Sequence, residues 1–513
     1  MSGPPTPAGF PPLEGRARIL ATLSLALATL MNVLDTTIAN VSIPTISGDI
    51  GVSASQGTWV ITSFAVANAI SVPLSGWLAQ RFGQVRVFVI STLLFVLASW
   101  LCGLSRSLDM LITFRVVQGL VAGPMIPLSQ SLLLQCYPEA KRGTSLAIWS
   151  MTTTVAPVIG PILGGWISDN MAWGWIFYIN IPAGLLAAGM SWMLLKHREL
   201  PTARLPVDTI GLALLVIWVG AMQLTLDRGK ELDWFASTEI VALSVVAVVG
   251  FCFFLAWELT EKHPIVDLHL FRRSSFAFGT LALSLGYGLF FAGIVVQPLW
   301  MQQYMGYTAT WAGLATAPAG LLAILFMPLV GKSLGKIDPR IFAAMAFAIL
   351  ALASFMRAGF NTDMRFFDMV VPQLVQGVAM AGFFVPLTAI LLSGLDPAQV
   401  PAAAGLSNFA RITAGAFGAS ISVTLWENRA ALHHAQLAEA IDPYRPAARM
   451  ALEELQKRGM DQAQALATIN RMIDTQSATL SLTEFFWASG IVFLLLIVLL
   501  GLARPTRAGM PGR

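Results

Sequence analysis

The stretch Leu34–Asp35–Thr36–Thr37–Ile38–Ala39–Asn40–Val41–Ser42–Ile43–Pro44 places one carboxylate inside a long apolar run that begins near Ile19. A run of this length can cross a bilayer as a helix. A charged side chain at membrane depth is costly, so Asp35 must face protein or water rather than lipid. Such an acid is functional by default. The alternative is a structural acid that a neighbouring hydroxyl group or arginine satisfies.

The composition is that of an integral membrane protein. Of the 513 residues, 56% are hydrophobic and 11% are charged, whereas a soluble protein carries about 25% charged residues. The formal net charge of +4 comes from basic residues scattered in short loops, so it does not suggest a nucleic-acid partner. Cys102, Cys136 and Cys252 lie far apart and predict neither a disulfide framework nor a metal site.

Apolar runs long enough to cross a bilayer recur along the whole chain, so the sequence predicts an all-α membrane protein. Basic residues concentrate in the loops on one side, and the positive-inside rule places that side in the cytoplasm together with both termini. About fourteen spans are predicted, at 19–43, 56–79, 86–104, 108–134, 143–167, 173–195, 208–226, 239–258, 275–301, 308–331, 340–358, 366–393, 401–425 and 480–503.

An internal repeat divides these spans into two six-helix halves. The glycine-containing, basic loop 76–86 is matched by 331–340, and Val117–Gln118–Gly119 is matched by Val375–Gln376–Gly377. Duplicated halves around a central site are a common transporter plan, and spans seven and eight then form a central insertion. The predicted organisation is a cytoplasmic segment 1–18, a half 19–197, a two-helix insertion 198–274, a half 275–503 that includes a long periplasmic loop 426–479, and a cytoplasmic tail 504–513.

A second charged residue, Arg115, lies in the fourth predicted span. A buried arginine stays charged and needs an acceptor. Burial disfavours the charged form of an acid and an opposite charge favours it, so Asp35 beside Arg115 would be able to gain and lose a proton. Other polar residues in the spans are candidates for a substrate cavity: Asn32, Gln118, Gln130, Gln376, Asn408 and Arg411.

The fifth predicted span contains the glycine- and proline-rich stretch 156–165. Small residues let helices approach closely, and proline bends a helix. Gly160, Pro161, Gly164 and Gly165 are therefore candidate contacts for sliding or hinging between the two halves, with tight packing alone as the alternative.

The long loop 426–479 has a helical pattern. Pro446 can begin one helix that Gly459 ends, and Asp461 followed by Gln464 predicts the N-terminus of another. This segment is either a solvated hairpin or lid on the protein itself, or a docking surface for a periplasmic partner. Adjacent His433 and His434 do not amount to a metal site, because a metal needs more ligands. Gly331–Lys332–Ser333 lacks the upstream glycine of a phosphate-binding loop, so ATP is not expected to drive the protein.

In these motifs the chain resembles the fourteen-span drug:proton antiporters of the major facilitator superfamily. The resemblance rests on Leu34–Asn40, on Arg115 with Gln118 and Gly119, on 156–165 and on the loop 76–86. It implies export of hydrophobic compounds by alternating access, driven by the proton motive force without a cofactor, with Asp35 as the coupling acid and Arg115 as its partner. It also implies gating roles in the first loop for Gly76, Arg81, Gly83 and Arg86.

The resemblance further implies the inner membrane as location, a periplasmic adaptor of the EmrA type and a TolC-like outer-membrane channel as partners. The candidate docking residues are His433, His434, Gln436 and Leu437. The chain departs from the family pattern at Gln80, where an acid is usual, at Gln84 and Val85, where basic residues are usual, and at Ala156 in place of a glycine. Two alternatives stay open: export of a single endogenous metabolite or siderophore, and a non-transporting membrane sensor or scaffold.

Overall fold

The structure is a computed structural model that describes residues 10–203, 206–334, 336–439, 441 and 445–502, apart from a few side chains within helices. Within these ranges the chain is helical and contains no strand. The predicted tail 504–513 lies outside the described residues.

The first six predicted spans correspond to ten helices: α1 Gly15–Ile50, α2 Ala54–Gly57, α3 Trp59–Ser71, α4 Ser75–Phe82, α5 Gln84–Gly103, α6 Leu108–Ala122, α7 Met125–Cys136, α8 Arg142–Asn170, α9 Trp175–Tyr178 and α10 Asn180–Leu195. The insertion contributes α11 Thr209–Arg228 and α12 Thr238–Thr260. The remainder contains α13 Ser274–Gln303, α14 Ala309–Ser333, α15 Pro339–Arg357, α16 Phe366–Leu391, α17 Val400–Ala438, α18 Pro446–Lys457 and α19 Gln462–Leu502. Short 3-10 turns lie at Val72–Leu74, Glu139–Lys141, Trp234–Ala236 and Leu268–Arg272.

In the described part of the chain, twelve helical segments are long and apolar enough to cross a membrane. The long helices α8 and α17 are not among these twelve, although they cover the predicted spans 143–167 and 401–425. Helix α17 carries the polar residues Asn408 and Arg411. The helices are consistent with fourteen spans, and the count itself stays a prediction.

The helices pack as two bundles that face each other, with the insertion on one side. In the first bundle α1 packs against α8 and α10, and α3 packs against α6; in the second, α13 packs against α17, and α16 packs against α14 and α15. The bundles meet where α8 contacts α14 and where α17 contacts α7 and α4. Helix α11 contacts both α3 and α17, so the insertion bridges the two bundles.

The two bundles are in close contact at helix ends that carry the basic loops. A Cβ atom added at Gly76 would lie 2.5 Å from the Cβ of Ala402. One added at Gly143 would lie 2.4 Å from the carbonyl oxygen of Gly331. Because real Cβ atoms do not approach other atoms so closely, these glycines allow a backbone contact that any larger residue would prevent.

The predicted loop 426–479 is mostly helix, because α17 continues to Ala438 and α19 begins at Gln462. The predicted helix start is confirmed as a reciprocal cap. The backbone N–H of Gln464 donates to Asp461 Oδ1 at 2.7 Å, and that of Asp461 donates to Gln464 Oε1 at 3.1 Å. The helix that begins at Pro446 is also present, and Gly459 follows its end with a φ of 91°. The segment is therefore a helical extension of the membrane bundle rather than an irregular loop.

Candidate functional site

Asp35 lies inside the first bundle and is 2% exposed. Its carboxylate accepts three hydrogen bonds: from Arg115 at 2.6 Å, from Gln118 Nε2 at 3.0 Å and from Asn180 Nδ2 at 2.8 Å. The donors come from α6 and from the start of α10, which pack around α1. A carboxylate with a buried cation and two amide donors is well satisfied in its charged form.

Arg115 is fully buried, and its other contacts fix its position. Its Nε–H donates to the carbonyl oxygen of Val60 at 2.9 Å, and NH1 also donates to Gln118 Oε1 at 2.7 Å. The guanidinium lies over the ring of Phe64, 4.3 Å from its centroid. Its NH2 has no hydrogen-bond partner among the described residues. The pair that the sequence suggested is thus in direct contact, and its role in proton coupling stays a prediction.

Asn180 and Ser99 complete the network, and sequence reasoning missed both. Ser99 Oγ accepts from Gln118 Nε2 at 2.8 Å and from Asn180 Nδ2 at 3.3 Å. Both residues are polar positions within predicted spans, so the rule that selected Asn32 and Gln118 as polar candidates applied equally to Asn180. Gln118, a candidate for the substrate cavity, therefore lies in this network inside one bundle and not between the bundles.

Asn32 also lies inside the first bundle. Its Nδ2 donates to the carbonyl oxygen of Ala122 at 2.9 Å, where α6 ends. This hydrogen bond satisfies the carbonyl group of Ala122, which lies at the end of α6 where the chain breaks before α7. Gln376 is buried in α16 of the second bundle, at 7% exposed.

Three of the predicted cavity residues meet between the bundles. Asn408 Nδ2 donates to Gln130 Oε1 at 3.1 Å, from α17 to α7, and Arg411 NH2 donates to Asn408 Oδ1 at 2.9 Å. Arg411 is 8% exposed and lies over the ring of Tyr287, 4.8 Å from its centroid. Beside the hydrogen bond that joins the bundles, the second bundle thus holds a buried cation that contacts an amide oxygen and the rings of Tyr287 and Phe384.

Among the candidate hinge residues, Gly160 and Gly164 pack against α1 of the same bundle. A Cβ atom at Gly160 would lie 2.0 Å from Thr37 Oγ1, and one at Gly164 would lie 3.0 Å from the carbonyl oxygen of Ile38. At Gly165 such an atom would meet nothing within 4 Å. The Pro161 side chain lies outside the described part of the structure. Helix α8 therefore packs against α1 at Thr37 and Ile38, within one helical turn after Asp35.

The first basic loop is contacted by an acid from a distant part of the chain, Glu199, which follows α10. Gly83 has a φ of 96°, a conformation that favours glycine, and α5 starts directly after it. Glu199 accepts from the backbone N–H groups of Val85 at 3.0 Å and Arg86 at 3.1 Å. A carboxylate at a helix N-terminus is favourable, so Glu199 stabilises the start of α5 and brings a negative charge to the loop in which position 80 is glutamine. Arg81 lies over the Trp77 ring, 5.2 Å from its centroid.

The candidate docking histidines face α19. His433 Nε2 lies 3.0 Å from Glu484 Oε1, and His434 Nε2 lies 3.3 Å from Asp474 Oδ1. Arg429 donates two hydrogen bonds of 2.8 Å to Glu484, which raise the pKa of Arg429. Gln436 is exposed and Leu437 is half-buried. Among the described residues, no group of three or more His, Cys, Asp or Glu side chains could hold a metal ion.

Two facing helical bundles, with a buried charge pair in one and a polar cluster between them, define a membrane transporter of the two-half type. The family profile "Major Facilitator Superfamily" matches residues 25–419, and the chain belongs to that superfamily. It is 53% identical over 495 residues to "Multidrug export protein EmrB" of Escherichia coli K12, covering 96% of this chain and 97% of the relative.

Two further comparisons agree with this assignment. The chain is 50% identical over 496 residues to "Fatty acid resistance protein FarB" of Neisseria gonorrhoeae, covering 97% of this chain and 98% of the relative. The solved proton:xylose symporter XylE matches with a TM-score of 0.57 at 13% identity, covering 94% of each chain, which shows the fold. The chain is a multi-pass membrane protein and a drug-efflux transporter, and its relatives are transporters rather than enzymes.

Proposed function

We propose that the chain exports hydrophobic drugs and toxic compounds in exchange for protons, with Asp35 as the coupling acid. The observation that carries this proposal is the buried carboxylate whose counter-ion, Arg115, is equally buried. When Asp35 is charged, the pair is neutral as a whole. When Asp35 binds a proton, the Arg115 charge is left buried without compensation, and breaking such a pair costs about 3–5 kcal/mol.

Because of that cost, protonation of Asp35 favours a change of conformation. A rearrangement that lets water or another acceptor reach Arg115 lowers the free energy of the protonated state. Helix α1 carries Asp35, and one turn later it contacts Gly160 and Gly164 of α8. Helix α8 in turn contacts α14 of the other bundle. Movement of α1 on protonation can thus be transmitted to the bundle interface through the contacts of α1 with α8 and of α8 with α14.

Alternating access requires a seal that opens and closes on each side of the membrane. With the basic loops in the cytoplasm, the close contacts of Gly76 with Ala402 and of Gly143 with Gly331 form the cytoplasmic seal. The hydrogen bond between Gln130 and Asn408 connects the bundles as well. We propose the bacterial inner membrane as the location, with both termini in the cytoplasm. Gly76, Gly83, Arg81 and Arg86 then lie beside the seal.

The substrates are hydrophobic small molecules. The identity to relatives named for multidrug export and for fatty acid resistance supports this class over export of a single metabolite. Arg411, with the Tyr287 ring and Asn408 around it, offers a positive charge between the bundles for a polar or anionic part of a substrate. The remaining cavity candidates of the first bundle, Asn32 and Gln118, are then supports for α1 and Asp35.

As periplasmic partners we propose those that the family resemblance implies: an adaptor of the EmrA type, leading to a TolC-like outer-membrane channel. Exposed apolar side chains on the helical extension, Met450, Leu466 and Met472, fit a docking surface together with Gln436 and Leu437. His433 and His434 would act indirectly, by fixing α17 on α19. We expect Leu466→Glu to abolish co-purification of the adaptor, and Gln456→Glu, at an exposed polar position on α18, to leave it unchanged.

The central experiment measures drug protection and proton flux for Asp35→Asn in a strain without its own efflux pumps. We expect wild-type protein to protect, Asp35→Glu to protect partly because it keeps a carboxylate, and Asp35→Asn to fail. Asp109→Asn, an exposed acid at the start of α6, is the matched control and should protect fully. Full proton-driven protection by Asp35→Asn would show that the coupling acid lies elsewhere. A sensor or scaffold would protect in no form.

A further inference from the structure

The segment 226–237 connects α11 to α12 at the ends of these helices that lie opposite the basic loops. It is bonded to α17 of the second bundle by three polar contacts: the Ser420 hydroxyl donates to the carbonyl oxygen of Leu226 at 2.8 Å, Trp234 Nε1–H donates to Thr424 Oγ1 at 2.9 Å, and Lys230 Nζ lies 2.8 Å from Glu427 Oε1. Positions three and four apart share one face of a helix, so the segment follows one face of α17.

The backbone of this segment is held in an unusual shape. Asp233 and Trp234 have φ angles of 53° and 50°, and they are the only residues other than glycine with a positive φ in the described part of the chain. The backbone N–H of Trp234 donates to the carbonyl oxygen of Gly229 at 2.7 Å. Such a conformation persists only where the surrounding contacts impose it. These contacts hold Trp234 where its indole donates to Thr424.

The same segment meets the first bundle across a cavity of about 380 Å³. Trp59 and Thr62, at the start of α3, line one side, and Asp227, Arg228 and Glu231 line the other. Two contacts cross the cavity: Asp227 with the Thr62 hydroxyl, and the Arg228 guanidinium over the Trp59 ring, 5.9 Å from its centroid. Asp227 and Glu231 are exposed, so water can take the place of the contacts with α3.

The bundles are connected differently at their two ends. At the end with the basic loops, Gly76 and Ala402 are in backbone contact. At the opposite end, the segment 226–237 lies between α3 and α17. Rocking of the bundles that separates Gly76 from Ala402 must therefore change the contacts of this segment with α3 or with α17. The contacts with α17 include an ion pair and two hydrogen bonds, whereas those with α3 border an open cavity, so the contacts with α3 are the ones that can change.

We propose that the segment 226–237 is a lid that moves with the second bundle and closes against α3 when the cytoplasmic side of the transporter opens. Trp234 and Lys230 are positioning residues that hold the lid on α17. The cavity beside Trp59 and Thr62 narrows when the lid closes. The two-helix insertion thereby acquires a role in alternating access, and to that extent the inference rests on the proposed function.

Two matched cross-links test which contact of the lid moves. One pair, Lys230→Cys with Glu427→Cys, spans the contact with α17, and the other, Gln56→Cys with Glu231→Cys, spans the cavity. Both use the same short bis-methanethiosulfonate reagent in a Cys252→Ala background, because Cys252 is an exposed native cysteine. Drug–proton exchange in liposomes should continue at an unchanged rate after the first link forms. It should stop after the second link forms and recover when a reducing agent is added.

The opposite results would overturn the proposal. Loss of exchange after the link to position 427 would show that the segment leaves α17 during transport. Undiminished exchange after the link across the cavity, verified by mass spectrometry of the joined peptides, would show that the cavity keeps its width.

Single substitutions test the positioning role of Trp234. Trp234→Phe keeps an aromatic ring and removes the donor to Thr424, so the maximal transport rate should fall about five-fold, as the loss of one hydrogen bond predicts. The substrate concentration at half-maximal rate should not change, because the lid does not contact the polar cluster between the bundles. Thr424→Val should have the same effect, and the double variant should be no worse. Phe235→Leu, at a side chain that is 69% exposed, is the control. Additive losses in the double variant, or a changed half-maximal concentration, would contradict the role.

Labelling of the cavity separates this inference from the proposed function. Thr62→Cys in the Cys252→Ala background should react with a membrane-impermeant thiol reagent added from the periplasmic side. Gly76→Val, which forces α4 away from α17, should slow that reaction, and Gly220→Val, which meets nothing within 4 Å, should not. Equal labelling in all three forms would refute the lid even if wild-type protein exports drugs. Slower labelling in Gly76→Val, in a protein that exchanges no drug for protons, would leave the lid intact and refute the proposed function.

Discussion

The buried charge pair allows the energetic and the functional role of Asp35 to be separated by mutation. Asp35→Asn leaves the guanidinium of Arg115 without a counter-ion, and Arg115→Gln leaves the carboxylate with the amide donors of Gln118 and Asn180 alone. Each residue is at most 2% exposed, so neither remaining charge is hydrated. We expect each single change to cost about 3–5 kcal/mol of folding stability.

The double variant Asp35→Asn with Arg115→Gln removes both charges and keeps polar side chains of similar size. Replacing a buried ion pair by apolar residues of similar volume is often neutral for stability, and Asn with Gln likewise leaves no charge buried. We therefore expect the double variant to unfold close to wild type, with an interaction energy of several kcal/mol between the two positions. Thermal unfolding of the purified protein in detergent measures this order: wild type and double variant high, both single variants low.

Transport should follow a different order. The double variant folds but has no acid to carry the proton, so proton flux driven by a drug gradient in liposomes should be absent in it and in Asp35→Asn. The reasoning is refuted if the double variant exchanges drug for protons, or if the single variants unfold like wild type. In the first case Asp35 is only structural, and in the second the pair is not desolvated as the geometry indicates.

Three further predictions follow from packing and hydrogen bonding. Gly164→Ala should slow transport moderately because its Cβ would lie 3.0 Å from the carbonyl oxygen of Ile38 on α1, whereas Gly165→Ala, which meets nothing within 4 Å, should transport like wild type in the same liposome assay. Gly76→Val should hold the cytoplasmic side open, which raises labelling of introduced cysteines by a membrane-impermeant reagent from that side; Gly220→Val, in open space on α11, should not. Asn180→Ala removes one of the three hydrogen-bond donors to the buried Asp35 carboxylate, so the purified protein should be less stable to thermal unfolding in detergent by about 1–3 kcal/mol.

The class and architecture of the protein were largely predictable from sequence. Membrane helices need long apolar runs, and such runs are visible in any single sequence. The reciprocal cap of Asp461 and Gln464 was predictable for a similar reason, since it involves residues three positions apart. The contact between Asp35 and Arg115 was suggested because two buried opposite charges in one membrane domain need each other.

Contacts between distant segments were not predictable in the same way. Nothing in the order of residues indicates that Glu199 lies at the N-terminus of α5, 114 positions from Val85, or that Asn180 reaches Asp35. The sequence also did not indicate which helix the glycines of α8 pack against, because they could equally have faced the other bundle. Helical periodicity is weak in spans that are apolar all round, so the pattern gives the existence of a helix but not its rotation.

The placement of Asp35 has a consequence for how coupling works. All donors to its carboxylate come from its own bundle, whereas the cluster of Gln130, Asn408 and Arg411 lies between the bundles. If Asp35 is the coupling acid, proton and substrate do not compete for one group, and each acts on the other only through helix movement. The packed helices α1, α8 and α14 then form the element whose conformational equilibrium is shifted by both the proton and the substrate. Such a design tolerates substrates of many shapes, because the chemistry that uses the proton gradient never touches them.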